Sequence, residues 1–285
     1  MVQPTASGNG PQGILPAIDT RTRLYGVIGA PVGHSLSPAM HNAALQAMGC
    51  NAVYLAFHTT DPAGALAGMR ALGMGGLSVT IPHKVSVMAH LDEMDPLARR
   101  IGAVNTVVPR EGRLFGYNTD CFGALAALKE RVDPAGKQVA LLGAGGAARA
   151  VGFGLVDAAA RVTLFNRNAQ RGRALAQALG IEWLPLEELA RHRADILINT
   201  TSVGMHPDTG RMPVPADCLR SGMVVMDIVY NPLETRLLRE ARAAGCEVVD
   251  GVAMFVHQGA RQLALWTGRR PPVEIMRRTV LACLT

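Results

Sequence analysis

The sequence is poor in aromatic residues, which fill 4% of its 285 positions. Nucleic-acid surfaces usually interleave basic clusters with aromatic side chains, and here the cations behind the formal charge of +6 are dispersed along the chain. No nucleic-acid partner is expected, and small anionic ligands explain the charge balance equally well. Cysteine is scarce too. Cys50, Cys121, Cys218, Cys246 and Cys283 are scattered, odd in number and free of paired metal-ligand spacing. That pattern argues against a disulfide scaffold and a metal site, and it suits a reducing cytoplasm. No uninterrupted apolar run is long enough to cross a bilayer: the longest apolar region, Val139 to Phe165, is broken by Arg149, Asp157 and Arg161. Residues 1–22 lack the basic-then-apolar layout of a secretion signal, and their Pro, Gly, Ser and Thr content reads as a flexible tail.

What is present is a chain with 49% hydrophobic residues, enough for a sizeable core in one or two domains. Short β-branched runs alternate with helical patterns, the signature of βαβ units and a parallel sheet, so the fold class is α/β. Strands are expected near Leu24 to Ile28, Val53 to Phe57 and Gly76 to Val79. Between the first two, Met40, Ala43, Ala44, Ala47 and Met48 recur at helical spacing, with Gly49 as the C-cap. A hairpin of Val104 to Val108 with Leu114 to Tyr117 follows, and a helix begins at Asn118-Thr119-Asp120. From Gln138 the alternation restarts, with strands near Val139 to Leu142, Val162 to Phe165, Ile196 to Asn199 and Val224 to Ile228. Two helical patterns, Met254 to Trp266 and Pro272 to Leu284, close the chain and are expected to return to the first unit.

Val139 to Leu142 reads as a buried strand, and Gly143-Ala144-Gly145-Gly146-Ala147-Ala148 leads from it into a helix. Glycines there permit a tight turn and close backbone approach, so that N–H groups at the helix start hold a pyrophosphate. An ordinary glycine turn is the alternative. NAD-binding folds place a carboxylate about 20 residues further on, at the end of the second strand, to bind the ribose 2′-hydroxyl. Here that strand ends in Asn166-Arg167-Asn168, with Arg171 one turn later. No acid repels a 2′-phosphate and two guanidiniums are at hand to bind one, which favours NADP. The alternative is that Arg167, Arg171 and Arg173 merely solvate a helix face.

In the first half, Gly33-His34-Ser35-Leu36-Ser37-Pro38 sets two hydroxyls before a helix. Ser37 with Pro38 reads as an N-cap followed by an N1 proline, and Ser35 is not needed for that cap. Two hydroxyls at a helix start also suit a carboxylate. Ser78-Val79-Thr80-Ile81-Pro82-His83-Lys84 places Thr80 and Lys84 at the carboxyl edge of the sheet, where open α/β sheets bind ligands. Asp120 is a candidate partner for Lys84, with N-capping as its alternative role.

Taken in order, these motifs resemble the shikimate dehydrogenase family, from about Leu24 to the C-terminus. Tyr25-Gly26-Val27-Ile28-Gly29 leading to His34-Ser35-Leu36-Ser37-Pro38 and His41-Asn42 is similar to the family's N-terminal signature. Val79-Thr80-Ile81-Pro82-His83-Lys84 resembles its lysine loop, Gly102-Ala103-Val104-Asn105-Thr106 its second polar strand, and Asn118-Thr119-Asp120 its aspartate motif. Asn199 to Met205, Asp227 to Pro232 and Gly251 to Gln258 complete the set.

The resemblance implies a substrate-binding domain over 23–119 plus 255–285, a Rossmann-type NADP-binding domain over 120–254, and reversible reduction of 3-dehydroshikimate to shikimate on the way to chorismate and the aromatic amino acids. It implies Lys84 as acid/base beside Asp120, with Ser35, Ser37, Thr80, Asn105, Tyr230 and Gln258 on the substrate. On the cofactor it implies the backbone of Gly143, Ala144, Gly145, Gly146 and Ala147, then Asn166, Arg167, Asn168 and Arg171 at the 2′-phosphate, and Ile228 and Gly251 near the nicotinamide. Two positions depart from the family pattern: Ser78 stands where many relatives have asparagine, and Asn168 where NADP-specific members often have threonine. A relative that oxidises quinate or prefers NAD is the nearest alternative, and a catalytically silent dinucleotide sensor the more distant one. A homodimer is compatible with the sequence.

Overall fold

A computed structural model describes residues 18–285; the expected tail falls, up to residue 17, outside the described residues. The first sheet contains β1 (Arg23–Gly29), β2 (Ala52–His58), β3 (Gly76–Val79), β4 (Glu93–Met94), β5 (Thr106–Arg110) and β6 (Arg113–Tyr117), in the order β2-β1-β3-β5-β6-β4. β1 lies parallel to β2 and β3, whereas β5 runs antiparallel to both β3 and β6. Helices α1 (Ser37–Ala47), α2 (Pro62–Ala71) and α3 (Pro96–Ile101) connect these strands. The hairpin lies two residues later than expected in its first strand. Pro109 reads as a strand breaker, yet it pairs with Leu114 and gives up only a donor that this position does without.

After α4 (Thr119–Lys129) comes a second, wholly parallel sheet: β7 (Gln138–Leu142), β8 (Arg161–Phe165), β9 (Glu182–Leu184), β10 (Ile196–Asn199), β11 (Val224–Asp227) and β12 (Glu247–Val249). Its order is β12-β11-β10-β7-β8-β9, so the winding reverses between β7 and β10, and a crevice opens at their carboxyl ends. Helices α5 (Gly146–Asp157), α6 (Ala169–Leu179) and α7 (Arg236–Ala243) belong to this sheet. β4, β9 and β12 were not expected; each has two or three residues at or beside a sheet edge, too few to show periodicity.

The last two helices, α8 (Gly251–Thr267) and α9 (Val273–Leu284), do return to the first unit. Gly76 on β3 has no Cβ because the Trp266 indole occupies its place, 2.2 Å from where that atom would sit, and the indole N–H donates to the Val107 carbonyl at 3.0 Å. The N-terminal part of α8 is shared between the two cores: Ala253 and Met254 lie in the core of the second sheet, whereas Val252, Val256, Ala260, Leu263 and Trp266 lie in the core of the first. α4 crosses α8 closely at Gly123, where a Cβ would meet the backbone of Met254 and Gln258 within 2.8 Å. Among the described residues no helix is long and apolar enough to cross a membrane.

Candidate active site

Lys84 follows β3 in a turn anchored by the Val104 N–H, which donates to the Lys84 carbonyl at 2.8 Å. Its ammonium donates to Asp120 Oδ2 at 2.6 Å, with the two side chains 32% and 13% exposed, so the pair is half sheltered and still reachable. Asp120 stands in the first turn of α4 but does not cap it. Asn118 takes that role, its side chain accepting from the N–H groups of Asp120 and Cys121. The carboxylate is thereby free for Lys84 on one oxygen and for Asn105 Nδ2, at 2.8 Å, on the other. Gln258 on α8 is nearly buried, its Oε1 lying 3.5 Å from the Thr119 hydroxyl.

The two serines behave differently from the expectation. Ser37 is the first residue of α1 rather than its N-cap; Leu36 holds the cap position and its side chain makes no capping bond. Ser35 makes the local bond instead, its Oγ accepting from the Ser37 N–H at 3.2 Å. Leu-Ser-Pro allows the helix to begin one residue early because proline is as acceptable at the second helical position as at the first. Ser37 Oγ is thus released toward Tyr54, whose phenol, well removed from water, is held against it and against Ser78. Thr80 sits against Gly29, whose missing Cβ leaves room for the threonine methyl, and no polar contact joins it to Lys84. Tyr230, after β11, stacks on Phe255 of α8 at 4.9 Å, one turn before Gln258, and burial pushes its phenol above the ordinary range.

The glycine turn lies at the reversal point of the second sheet. Gly143 has φ +108°, and a Cβ there would lie 2.9 Å from the Thr200 hydroxyl. Gly145 caps α5 without any side-chain bond, so the first N–H groups of the helix, from Gly146 and Ala147 onward, have no capping oxygen. A Cβ on Gly145 or Gly146 would meet nothing within 4 Å. Ala144, Gly145, Asn166, Arg167, Asn168 and Arg171 line an open cavity of about 490 Å³ that contains no acidic side chain. Asn168 caps α6 by accepting from the Arg171 N–H at 2.9 Å. Among the described residues the Arg167 and Arg171 guanidiniums form no ion pair, while Arg173 stacks over Trp183 at 5.0 Å. Free donors, uncapped amides and open volume together suit a dinucleotide with a 2′-phosphate. Gly251 is different in kind: a Cβ there would strike the Val229 carbonyl oxygen at 2.4 Å, so close packing of α8 on the chain after β11 requires it. Ile228 donates its N–H to the Asn199 carbonyl beside that crossing.

One buried charge escaped the sequence reading. Asp227 ends β11 with 0% exposure and accepts from Asn199 Nδ2 at 2.9 Å, Thr235 Oγ at 2.7 Å and the Val229 N–H at 3.1 Å. Burial outweighs these donors and pushes its carboxyl up to about 6. A lone acid closing an apolar strand was the signal. Asn199 in turn accepts from the N–H and hydroxyl of Thr201, so the loop after β10 is tied to Asp227.

Family models cover most of the chain. The model described as the shikimate dehydrogenase substrate binding domain matches residues 27–107, that for shikimate / quinate 5-dehydrogenase residues 125–229, and that for the shikimate 5'-dehydrogenase C-terminal domain residues 251–281. The chain is 48% identical over 277 residues to the shikimate dehydrogenase (NADP(+)) of Moorella thermoacetica, covering 92% of this chain and 94% of that one. It superposes with a TM-score of 0.87 and 43% identity on the shikimate 5-dehydrogenase of Thermus thermophilus in complex with NADP(H) and shikimate, across 92% of this chain and all of that one. A quinate dehydrogenase from Corynebacterium glutamicum in complex with NAD is also similar, with a TM-score of 0.86 and 35% identity over 92% and 99% of the two chains.

Proposed function

The chain belongs to the shikimate dehydrogenase family, and from that premise we propose that it interconverts 3-dehydroshikimate and shikimate with NADP. The observation that carries the reading is the Lys84–Asp120 pair, an ammonium at 2.6 Å from a carboxylate whose other oxygen is held by Asn105. Bound NADPH supplies the hydride. As the ring ketone is reduced, charge develops on its oxygen, and Lys84 Nζ delivers the proton there while Asp120 holds the ammonium in place. Ser35 and Ser37 bind the substrate carboxylate. Thr80, Asn105, Tyr230 and Gln258 fix the ring, so that the reacting carbon and Lys84 keep one geometry through the transfer.

Gly143, Ala144, Gly145, Gly146 and Ala147 hold the pyrophosphate, and Asn166, Arg167, Asn168 and Arg171 hold the 2′-phosphate. Ile228 and Gly251 would lie near the nicotinamide. The substrate unit comprises 23–119 plus 255–285 and the cofactor unit 120–254, with a cleft between them that closes on the reactants. All five cysteines are free, in keeping with a cytoplasmic enzyme. The edge strand β2, with Leu55 44% exposed, offers a pairing edge for a homodimer, which light scattering would detect.

The quinate- or NAD-using alternative has its own support in the likeness to the Corynebacterium glutamicum enzyme. Against it stand two guanidiniums, and no acid, in the cavity where the adenosine ribose binds. Initial rates with shikimate and quinate, each paired with NADP+ and NAD+, decide the matter. Shikimate with NADP+ is expected to give the highest kcat/KM; quinate or NAD+ prevailing would overturn the assignment, and no turnover with any pair would favour the silent sensor.

A further inference from the structure

Tyr54, Ser78, Thr106 and Gln262 are buried polar side chains that lie behind the Lys84–Asp120 pair. A continuous set of hydrogen bonds joins them to it, and the direction of each bond follows from groups with only one possible role. The Asn105 carbonyl only accepts, so the amide nitrogen of Gln262 faces it, donating there at 3.1 Å and to Thr106 Oγ at 3.0 Å. Both protons of that amide are then used. Gln262 Oε1, an acceptor only, takes the Ser78 proton at 2.8 Å, and Ser78 accepts from the Tyr54 hydroxyl at 2.7 Å.

On the other side, Thr106 has accepted from Gln262 and passes its own proton to Asn105 Oδ1 at 2.8 Å. That oxygen also receives the Thr119 N–H at 2.8 Å. With Oδ1 held by these donors and lying 3.2 Å from the Thr119 hydroxyl, Asn105 turns its Nδ2 to Asp120 Oδ1 and, at 3.0 Å, to that same hydroxyl, and Asp120 Oδ2 is left for Lys84. A rotated Asn105 would set an oxygen against the carboxylate.

We propose that Gln262 and Thr106 are positioning residues: they lock the Asn105 amide in the one orientation that donates to Asp120, and through it hold Lys84 in register with the reacting oxygen. The proposal rests on the reading of Lys84 and Asp120 as the acid/base pair. A purely mechanical role for Gln262, fastening α8 to the first sheet, is already filled one turn later by Trp266 on Val107. The competing anchors for the Asn105 orientation are the Thr119 N–H on Oδ1, the Thr119 hydroxyl, which accepts from Nδ2 at 3.0 Å, and the Asp120 carboxylate itself. One neutral hydrogen bond contributes about 1 kcal/mol net, so removing the Thr106 donor loosens the Asn105 amide against these remaining anchors without releasing it.

The test compares the full-length wild type with Thr106→Val, Thr106→Ser and Gln262→Met. Thr106→Val keeps the shape and strand preference of the residue and removes its hydroxyl. Its kcat with shikimate and NADP+ is expected to fall about fivefold while the Kd for NADP+ stays within about twofold. The side-chain amide signal of Asn105 in 1H–15N spectra, slowly exchanging in the wild type, is expected to exchange rapidly in Thr106→Val. Thr106→Ser restores both. Wild-type kcat and an unchanged amide signal in Thr106→Val would overturn the proposal, as would a loss that serine does not rescue. Should Thr106→Val fail to fold, the same two measurements apply to Gln262→Met, where a lowered kcat with a rapidly exchanging amide supports the proposal and wild-type behaviour in both overturns it. A wild type that does not turn over shikimate would refute the assigned reaction, and the Asn105 signal would still test the relay.

Discussion

Two buried ionisable groups should oppose each other in the pH dependence of stability. Asp227 titrates near 3.8 in an unfolded chain and near 6 in the fold, so the folded state binds the extra proton between those values. Stability therefore falls as pH rises across that window, and the whole penalty is present above about 6. At 1.36 kcal/mol per pH step of one, it amounts to about 3 kcal/mol. His41 does the reverse. It is fully buried and stacked on Tyr54 at 4.3 Å, and burial pushes its imidazole from 6.5 down to about 4. The unfolded chain holds the extra proton between about 4 and 6.5, so stability rises with pH there, again by about 3 kcal/mol. The two slopes nearly cancel. Urea unfolding between pH 4.5 and 7 measures the balance. Asp227→Asn keeps an acceptor for Asn199 and Val229 and removes the charge, so its stability should climb relative to wild type as pH rises, by about 2 kcal/mol over that range. His41→Phe keeps the stack and should fall relative to wild type by a similar amount. Both variants running parallel to wild type would refute the reasoning.

Lys84→Ala should fold and bind NADP+ normally yet lose orders of magnitude in turnover; near-normal turnover would remove Lys84 from the proton-transfer role. Arg171→Ala should weaken NADP+ about tenfold, since a charge-assisted bond to phosphate at an exposed site contributes about 1.5 kcal/mol, while NAD+ binding by calorimetry stays unchanged; equal losses for both cofactors would place Arg171 away from the 2′-phosphate. Gly146→Val and Gly251→Ala should separate two uses of glycine. The first should keep the melting temperature but abolish dinucleotide binding, because its side chain enters open space over the helix start; the second should lower stability by about 1–3 kcal/mol, because its Cβ strikes backbone. A reversal of those two outcomes would exchange their roles.

Strands were legible wherever burial is complete. Val139 to Leu142 and Ile196 to Asn199 are central strands covered on both faces, so their apolar runs announce them. β4, β9 and β12 owe their existence to the strand beside them, and a two-residue segment such as Glu93–Met94 carries no pattern of its own. In the site, Lys84, Asp120 and Asn105 were readable as motifs, and the structure brings them into contact. The relay behind them was not. Ser78 and Gln262 meet across 184 positions, and a buried serine or glutamine looks like any surface one until its partner is known. Ser37 shows the same limit at short range, because the Ser-Pro pair fits a cap and a first turn equally and only the helix start decides.

Glycine ties the cofactor half of the molecule to the substrate half. Gly145, Gly146 and Gly251 all read as cofactor positions, yet only the first two face open space. Gly251 begins α8, and the same helix carries Gln258 beside Thr119, Gln262 in the relay and Trp266 on β3. Its 17 residues span about 25 Å at 1.5 Å each, enough to stand with one end on the chain after β11 and the other on the first sheet. Contact at Gly251 sets where the helix starts relative to Ile228 and Val229, and the indole in the Gly76 notch sets its rotation and height on the first sheet. On the proposed reading, one rod held at both ends sets the spacing between the chain after β11, where the nicotinamide would lie, and the Lys84 side, which is the kind of fixed geometry a hydride transfer requires.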